Sequence, residues 1–267
     1  MRGFSLKNGR KNIFTVINKC GKNSPVVIMF HGFTGNHIET HFMFSRLSKV
    51  LGHFGISSIR FDFIGSGNSD GVFEDITLSS EISDAYVVAN YARKHFTNIG
   101  ILGFSMGGLL ALLTAKKIKP NAICLWAPNT SARNRFTRND QVASKENFPN
   151  DLLRDYIDIG GLRISNNLNE EKQKLSLEAF LEAKKYKDPV LIIHGTSDQT
   201  IPFIRSEVLV KQFKNGTLIP LKGANHTFDS FNWSEITIIE TAKFFYEVFT
   251  NKKSKGEFSN PINLLTF

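Results

Sequence analysis

The sequence has few cysteines and no long uninterrupted apolar run. Its 267 residues include only two cysteines, Cys20 and Cys124, which are too few to staple a chain of this size and fall in different predicted strands. This usage favours a reducing compartment, and we expect the cytoplasm. Residues 1–11 lack the apolar segment of a secretory signal, so we expect no signal peptide. The longest uncharged stretch, residues 99–115, contains four glycines, which favours a strand, a turn and a helix over a membrane span.

Acidic residues are absent from the first 38 positions, which hold six basic ones. The net charge is +9, yet the other 229 residues contain 27 basic and 24 acidic side chains. Because the excess lies on or next to a predicted edge hairpin, we interpret it as protection against strand-to-strand aggregation. We therefore expect no nucleic-acid partner and no membrane span. With 41% hydrophobic and 21% charged residues, the composition excludes disordered and fibrous classes.

Strand and helix patterns alternate along most of the chain, which indicates an α/β fold with a mostly parallel, doubly wound sheet flanked by helices. An antiparallel hairpin is predicted near the N-terminus. The core strands are continuously apolar, as strands buried on both faces are, and we predict them at residues 26–30, 56–61, 99–102, 122–126, 190–193 and 217–221. We predict the helices at about residues 40–52, 76–96, 107–118, 203–214 and 234–249.

One connection is longer than a crossover needs, because 59 residues, 130–188, separate two predicted core strands. We predict that they form a cap or lid inserted over the strand ends, with helices near 150–159 and 170–187. The cap carries eleven basic and ten acidic residues, so it is nearly neutral. The predicted catalytic core is then residues 1–129 and 189–250, and residues 251–267 form a polar C-terminal tail.

A glycine-flanked serine joins the predicted strand at 99–102 to the following helix, in the pattern Gly103-Phe104-Ser105-Met106-Gly107. This context is typical of a nucleophile elbow, where glycines let strand and helix pass closely beneath an exposed serine. The alternative is a glycine-rich turn with a serine that caps the helix. Such a turn would leave the second half of the sequence unexplained.

A serine nucleophile needs a histidine base and a carboxylate that orients it, and in this fold they follow the serine in the order acid, then histidine. Asp198 follows the strand at 190–193, and His226 follows the strand at 217–221. We predict that both act with Ser105. His194 is the rival base, although its place at the end of a buried strand favours a structural role.

The oxyanion of an acyl-transfer intermediate needs two backbone N–H donors. We predict Met106, the residue after the nucleophile, and Phe33, in the His-Gly-Phe-Thr-Gly loop that follows the strand at 26–30. Phe33 and Phe228 are also candidates to line an acyl pocket, with Phe33 the stronger. The charged residues Arg60, Asp62 and Asp70 are interpreted as structural.

Several stretches together resemble the α/β-hydrolase superfamily of serine esterases, in particular its cinnamoyl (feruloyl) esterase-like branch, over most of residues 24–248. The matching stretches are His31-Gly32-Phe33-Thr34-Gly35-Asn36, Arg60-Phe61-Asp62-Phe63, Gly65, Gly67, Ser69-Asp70-Gly71, Phe73-Glu74-Asp75, His194-Gly195-Thr196, Asp198 and Gly223-Ala224-Asn225-His226. That branch usually has His before and Gln after the nucleophile. Here Phe104 and Met106 take these places, which looks more like monoacylglycerol lipases and general carboxylesterases.

The resemblance implies a cofactor-free carboxylesterase that acts on small acyl or aryl-acyl esters. Monoacylglycerol lipase and acyl thioesterase activities use the same machinery and stay open as alternatives, as does a non-catalytic binding protein of the same fold. No metal site is expected, because the seven histidines are scattered and His37 and His41 lack further ligands. The partner expected is a small ester, and a homodimer stays open.

Overall fold

The computed structural model describes residues 1–130, 156–159 and 161–254. Its strands are β1 (Arg2–Asn8), β2 (Lys11–Asn18), β3 (Val26–Phe30), β4 (Ser57–Phe61), β5 (Ile99–Phe104), β6 (Ala122–Trp126), β7 (Tyr156–Asp158), β8 (Arg163–Ser165), β9 (Val190–Gly195) and β10 (Gly216–Leu221). Its α-helices are α1 (Met43–His53), α2 (Leu78–His95), α3 (Met106–Ile118), α4 (Asn166–Lys185), α5 (Ile204–Val210) and α6 (Phe231–Thr250). Short 3₁₀ turns lie at Thr40–Phe42 and Phe73–Asp75.

Eight strands form one sheet in the order β1-β2-β4-β3-β5-β6-β9-β10. The hairpin β1–β2 is antiparallel and lies at one edge, β2 runs antiparallel to β4, and the other neighbours run parallel. This arrangement confirms the predicted α/β-hydrolase fold. Since β3 and β5 are parallel neighbours, the loops that follow them leave the same sheet edge side by side.

The sheet is covered on both faces, which explains why its central strands are apolar at every position. In β3, Val26, Ile28 and Phe30 pack into one core, while Val27 and Met29 pack into the other. The first core is shared with helices α2, α3 and α4, and the second with α1 and α6. The central strands and the loops at their carboxyl ends therefore rest on a rigid scaffold.

The segment between β6 and β9 departs from the prediction in part. The helix expected at 170–187 is present as α4, which packs against α3. The helix expected near 150–159 is wrong at Tyr156–Asp158, which pair with Arg163–Ser165 as a two-stranded antiparallel sheet. Cross-strand pairing of this kind overrides a weak local helical period. The rest of that predicted helix, residues 131–155 of the predicted cap, and residues 255–267 of the predicted tail lie outside the described residues.

Candidate active site

Ser105 lies in a strained turn between β5 and α3, with φ 51° and ψ −112°. A Cβ atom on Gly103 would overlap the backbone of Gly107, and one on Gly107 would overlap the carbonyl oxygen of Phe30. Both glycines are therefore required for β5, α3 and β3 to approach so closely. These contacts hold Ser105 in a sterically disfavoured backbone conformation at the carboxyl end of β5, which is the geometry of a nucleophile elbow.

The three residues predicted to act together are joined by hydrogen bonds, although Ser105 is 93 positions from Asp198 in the chain. The distance between His226 Nε2 and Ser105 Oγ is 3.0 Å, and that between His226 Nδ1 and Asp198 Oδ2 is 2.6 Å. The buried carboxylate fixes the proton of the imidazole on Nδ1, so Nε2 is left to accept the serine proton. The arrangement can generate a serine nucleophile without a metal or a cofactor.

Asp198 is held as a carboxylate by its neighbours. Burial alone would raise its pKa, but hydrogen bonds from His194 and His226, aided by the backbone N–H of Ile201, hold that pKa well below the usual range. The other carboxylate oxygen, Oδ1, accepts the backbone N–H groups of Thr200 and Ile201 at 2.7 and 2.8 Å. Asp198 is thus ionised and fixed in orientation.

His194, the alternative base, is fully buried, and its ring nitrogens form side-chain hydrogen bonds with Ser206 and Asp198 rather than with Ser105. Its Nδ1 lies 2.6 Å from Ser206 Oγ, and its Nε2 lies 2.9 Å from Asp198 Oδ2. It therefore shares one carboxylate oxygen with His226. Its position fits the structural role expected from the sequence.

The predicted oxyanion donors lie on the two neighbouring loops. Met106 is the first residue of α3, so its N–H has no acceptor within the helix. Phe33 follows Gly32, where a Cβ atom would lie 3.4 Å from the Cβ of Ser105. Both predicted donors line the same cavity as Ser105 and His226.

His31 forms hydrogen bonds that hold the loop after β3, which carries Phe33. It is buried, and burial lowers its pKa, so the ring is neutral. Its Nε2 accepts the N–H of Phe63 at 3.1 Å, which places the ring proton on Nδ1, 2.8 Å from the carbonyl oxygen of Gly32. The sequence motif beginning at His31 is therefore a hydrogen-bonded platform rather than a source of catalytic protons.

A cavity of about 440 Å³ opens over Ser105. Its apolar lining comes from the loop after β3, from the residues on either side of Ser105 and from the segment predicted to be the cap, namely Phe33, Phe104, Met106, Ile159 and Leu168. Phe33 therefore lines the cavity as expected, whereas Phe228 is fully buried against Phe104 and Trp126.

Arg60, Asp62 and Asp70 have the structural contacts expected of them. Arg60 donates to the carbonyl oxygen of His37, and Asp62 accepts the backbone N–H groups of His37 and Asn68. Asp70 accepts the backbone N–H of Asn12 in the edge hairpin. These bonds hold the chain where it leaves β4.

Sequence reasoning missed several residues that line the cavity: Glu39, Asn129, Lys172 and Thr200. Lys172 and Leu168 are four residues apart on α4, so one helical face reaches the site. The four-residue spacing is visible in the sequence, but only the packing of α4 shows that this face of the helix lies at the cavity. Glu39 had no such signal, because its position depends on an irregular loop.

In the part of the chain that the structure describes, no three His, Cys, Asp or Glu side chains are grouped so that they could hold a metal ion. In the same residues, no helix is both long and apolar enough to cross a bilayer.

Comparison with known protein families decides the class of this site. Residues 68–228, which include Ser105, Asp198 and His226, match the family described as serine hydrolase (FSH1). The chain belongs to this serine hydrolase family. Its hydrolase class therefore agrees with the resemblance inferred from the sequence.

The hydrolase is similar to curated proteins and to solved esterases. It is 28% identical over 197 residues to Protein ABHD12B of Homo sapiens, covering 72% of this chain and 51% of that protein. It is 27% identical over 188 residues to the lysophosphatidylserine lipase ABHD12 of Xenopus tropicalis, covering 67% of this chain and 44% of that protein. The hydrolase thus spans about half the length of these relatives.

Among solved structures, the hydrolase resembles Est1E of Butyrivibrio proteoclasticus with ferulic acid bound. The TM-score is 0.80 at 26% identity, and the match covers 92% of this chain and 99% of that one. The likeness therefore extends over most of the chain.

Proposed function

We propose that this serine hydrolase is a carboxylesterase that cleaves small acyl or aryl-acyl esters through an acyl-enzyme. The observation that carries the proposal is the hydrogen-bonded series Ser105, His226 and Asp198 beneath a cavity large enough for such an ester. Ser105 is the nucleophile, His226 the general base and acid, and Asp198 the residue that orients it.

In the acylation step, Ser105 Oγ attacks the ester carbonyl carbon while His226 Nε2 takes the serine proton. The carbonyl oxygen becomes an oxyanion, which the N–H groups of Phe33 and Met106 stabilise. Collapse of the intermediate breaks the bond to the leaving alcohol oxygen, and His226 gives its proton to that oxygen. The free alcohol leaves, and the acyl group stays on Ser105.

In the deacylation step, water takes the place of the alcohol. His226 removes a proton from the water as it attacks the acyl carbon, and the same two N–H groups hold the second oxyanion. Breaking the bond to Ser105 Oγ returns the proton to the serine and releases the carboxylic acid. No redox partner or cofactor is needed.

The size and lining of the cavity support a small substrate. A volume of about 440 Å³ lies toward the lower end of ligand pockets. The aromatic walls formed by Phe33 and Phe104 suit a short acyl chain or an aryl-acyl group. The ferulic acid bound to the similar protein Est1E supports the aryl-acyl option.

A monoacylglycerol lipase or acyl thioesterase activity is the second candidate. It is favoured by the similarity to a lysophosphatidylserine lipase and by the apolar residues Ile159 and Leu168 at the cavity, which a longer acyl chain could contact. We propose that these two residues belong to a cap formed by residues 130–188. A non-catalytic role is disfavoured by the complete hydrogen-bonded series at Ser105. For location, the free cysteines Cys20 and Cys124 favour the cytoplasm.

The experiment is a series of nitrophenyl esters from acetate to palmitate, measured beside methyl ferulate. We expect the highest kcat/KM at short chains or on the ferulate, and a loss of at least 10³-fold in Ser105→Ala. The control is Ser66→Ala, since Ser66 is 7% exposed and Ser105 8%. Full activity in Ser105→Ala, or no activity of the wild type on any ester, contradicts the proposal, and a palmitate optimum favours the lipase.

A further inference from the structure

The turn from Gly32 to Gly35 closes around the carboxylate of Glu39, a residue that is 9% exposed. Oε1 of Glu39 accepts the backbone N–H of Gly32 at 2.6 Å, and Oε2 accepts that of Thr40 at 3.0 Å. A Cβ atom on Gly35 would overlap Oε1, so the carboxylate would have to shift if another residue type stood there. The fit ties Glu39 to the loop that carries Phe33.

Glu39 also has an unusual backbone, with φ 60° and ψ 166°. This region is essentially restricted to glycine, because a Cβ atom is crowded there. A residue with a side chain persists in it only where its surroundings fix it, and such residues cluster at functional sites. Here the Glu39 N–H donates to the carbonyl oxygen of Asn36, and the Glu39 carbonyl oxygen accepts the N–H of Phe42. The two amides bound by the carboxylate add to these contacts.

The contacts around Gly32 control the direction of the Phe33 N–H. The carbonyl oxygen of Gly32 accepts the N–H of Gly35 at 3.0 Å and lies 2.8 Å from His31 Nδ1. Because the peptide is planar and trans, holding that oxygen holds the Phe33 N–H on the opposite side. Glu39 holds the preceding peptide through the Gly32 N–H, and glycine, with its wide φ and ψ freedom, needs both peptides held.

We propose that Glu39 is a positioning residue for the oxyanion hole, acting through Gly32 on the Phe33 N–H. The inference rests on the proposed function, in which that N–H stabilises the oxyanion. A carboxylate beside developing negative charge is electrostatically unfavourable, so its amide contacts are the reason for its presence. Glu39 itself does not touch the reacting atoms in this account.

The test compares Glu39→Ala and Glu39→Gln with a matched control, Glu235→Gln. Glu235 is 8% exposed and pairs with Arg46 away from the cavity. The measurements are kcat and KM on nitrophenyl butyrate, the melting temperature, and the affinity for an alkyl boronic acid, whose tetrahedral adduct on Ser105 places an oxygen in the oxyanion hole. Removing one oxyanion donor costs about 10²–10³-fold in kcat.

For Glu39→Ala we therefore expect kcat to fall by about 10²-fold or more, KM to stay within about threefold, and boronate affinity to fall in parallel with kcat/KM. Glu39→Gln keeps one oxygen acceptor, so about a tenfold loss with the same signature is expected. Glu235→Gln lowers the melting temperature and leaves kcat and boronate affinity unchanged.

Two results for Glu39→Ala would overturn the inference about Glu39 and leave the proposed function intact. One is a lower stability with a normal kcat, and the other is a fall in kcat without a loss of boronate affinity. If Glu39→Ala does not fold, an unchanged kcat and boronate affinity in Glu39→Gln overturn it. If the wild type hydrolyses no ester, or Ser105→Ala keeps full activity, the proposed function itself fails.

Discussion

Replacing Asp198 by asparagine should inactivate His226 by forcing the wrong tautomer. Asparagine has one acceptor oxygen and one donor NH₂ group in place of two carboxylate oxygens. The site of Oδ1 faces two backbone N–H groups, from Thr200 and Ile201 at 2.7 and 2.8 Å, so the amide oxygen must lie there. The NH₂ group then lies at the site of Oδ2, 2.6 Å from His226 Nδ1.

The consequence is a proton on the wrong ring nitrogen. Since the NH₂ group donates, His226 Nδ1 must accept, and the proton of the neutral ring moves to Nε2. Nε2 can then no longer take the proton of Ser105, 3.0 Å away. Substitutions of this kind in serine proteases lower kcat about 10⁴-fold, or about 5.5 kcal/mol of transition-state stabilisation.

The assay is kcat on nitrophenyl butyrate for Asp198→Asn, with Asp229→Asn as the control. Asp229 lies on the same loop as His226 but bonds His41, Asn225 and Thr227 instead. We expect about a 10⁴-fold loss in the first variant and less than about a threefold change in the second. A folded Asp198→Asn enzyme with kcat within tenfold of the wild type would refute the tautomer argument.

Two further predictions concern the scaffold. Gly107→Ala should destabilise the fold by about 1–3 kcal/mol or more and lower kcat, because its Cβ would overlap the backbone of β3. Gly21→Ala is the control and should do neither, since the space around Gly21 is open. Equal urea unfolding curves for the two variants would contradict this prediction. Glu81 is 1% exposed with Oε2 unpaired in the described part of the chain, and burial, with the charges of Asp84 and Glu171, raises its pKa well above the ordinary value. The folded state thus holds an extra proton between the ordinary carboxyl pKa and the raised one, so stability falls as pH rises through that window, by up to ~1.4 kcal/mol per pH unit. Glu81→Gln should remove this slope, and an equal gain in unfolding free energy at pH 5 and pH 8 would argue against it.

The central sheet could be predicted because burial on both faces leaves a continuous apolar signal. The strand at 122–126 matches β6 without error, whereas β10 gave a weaker signal. The reason is that β10 is an edge strand, half exposed and interrupted by Pro220, which only an edge tolerates. The pairing of Tyr156–Asp158 with Arg163–Ser165 was missed because short strands depend on their partner more than on local pattern.

The candidate site divides in the same way. Ser105, Asp198 and His226 could be named from the sequence because the fold fixes their order and the loops that carry them. Lys172 and Leu168 could not be placed at the cavity, because that depends on how α4 packs against α3. Glu39 was missed because its contacts follow from a left-handed backbone in an irregular loop, which no periodicity encodes.

Trapping the acyl-enzyme would show directly whether Ser105 is the nucleophile. The enzyme is mixed with a nitrophenyl ester, quenched in acid within milliseconds, digested and analysed by mass spectrometry. We expect one burst equivalent of nitrophenol and one acyl group on the peptide that contains Ser105, with no adduct in Ser105→Ala. An acyl group on a residue other than Ser105 would contradict this role of Ser105. A His226→Ala variant that keeps the wild-type kcat and forms no adduct would contradict it as well.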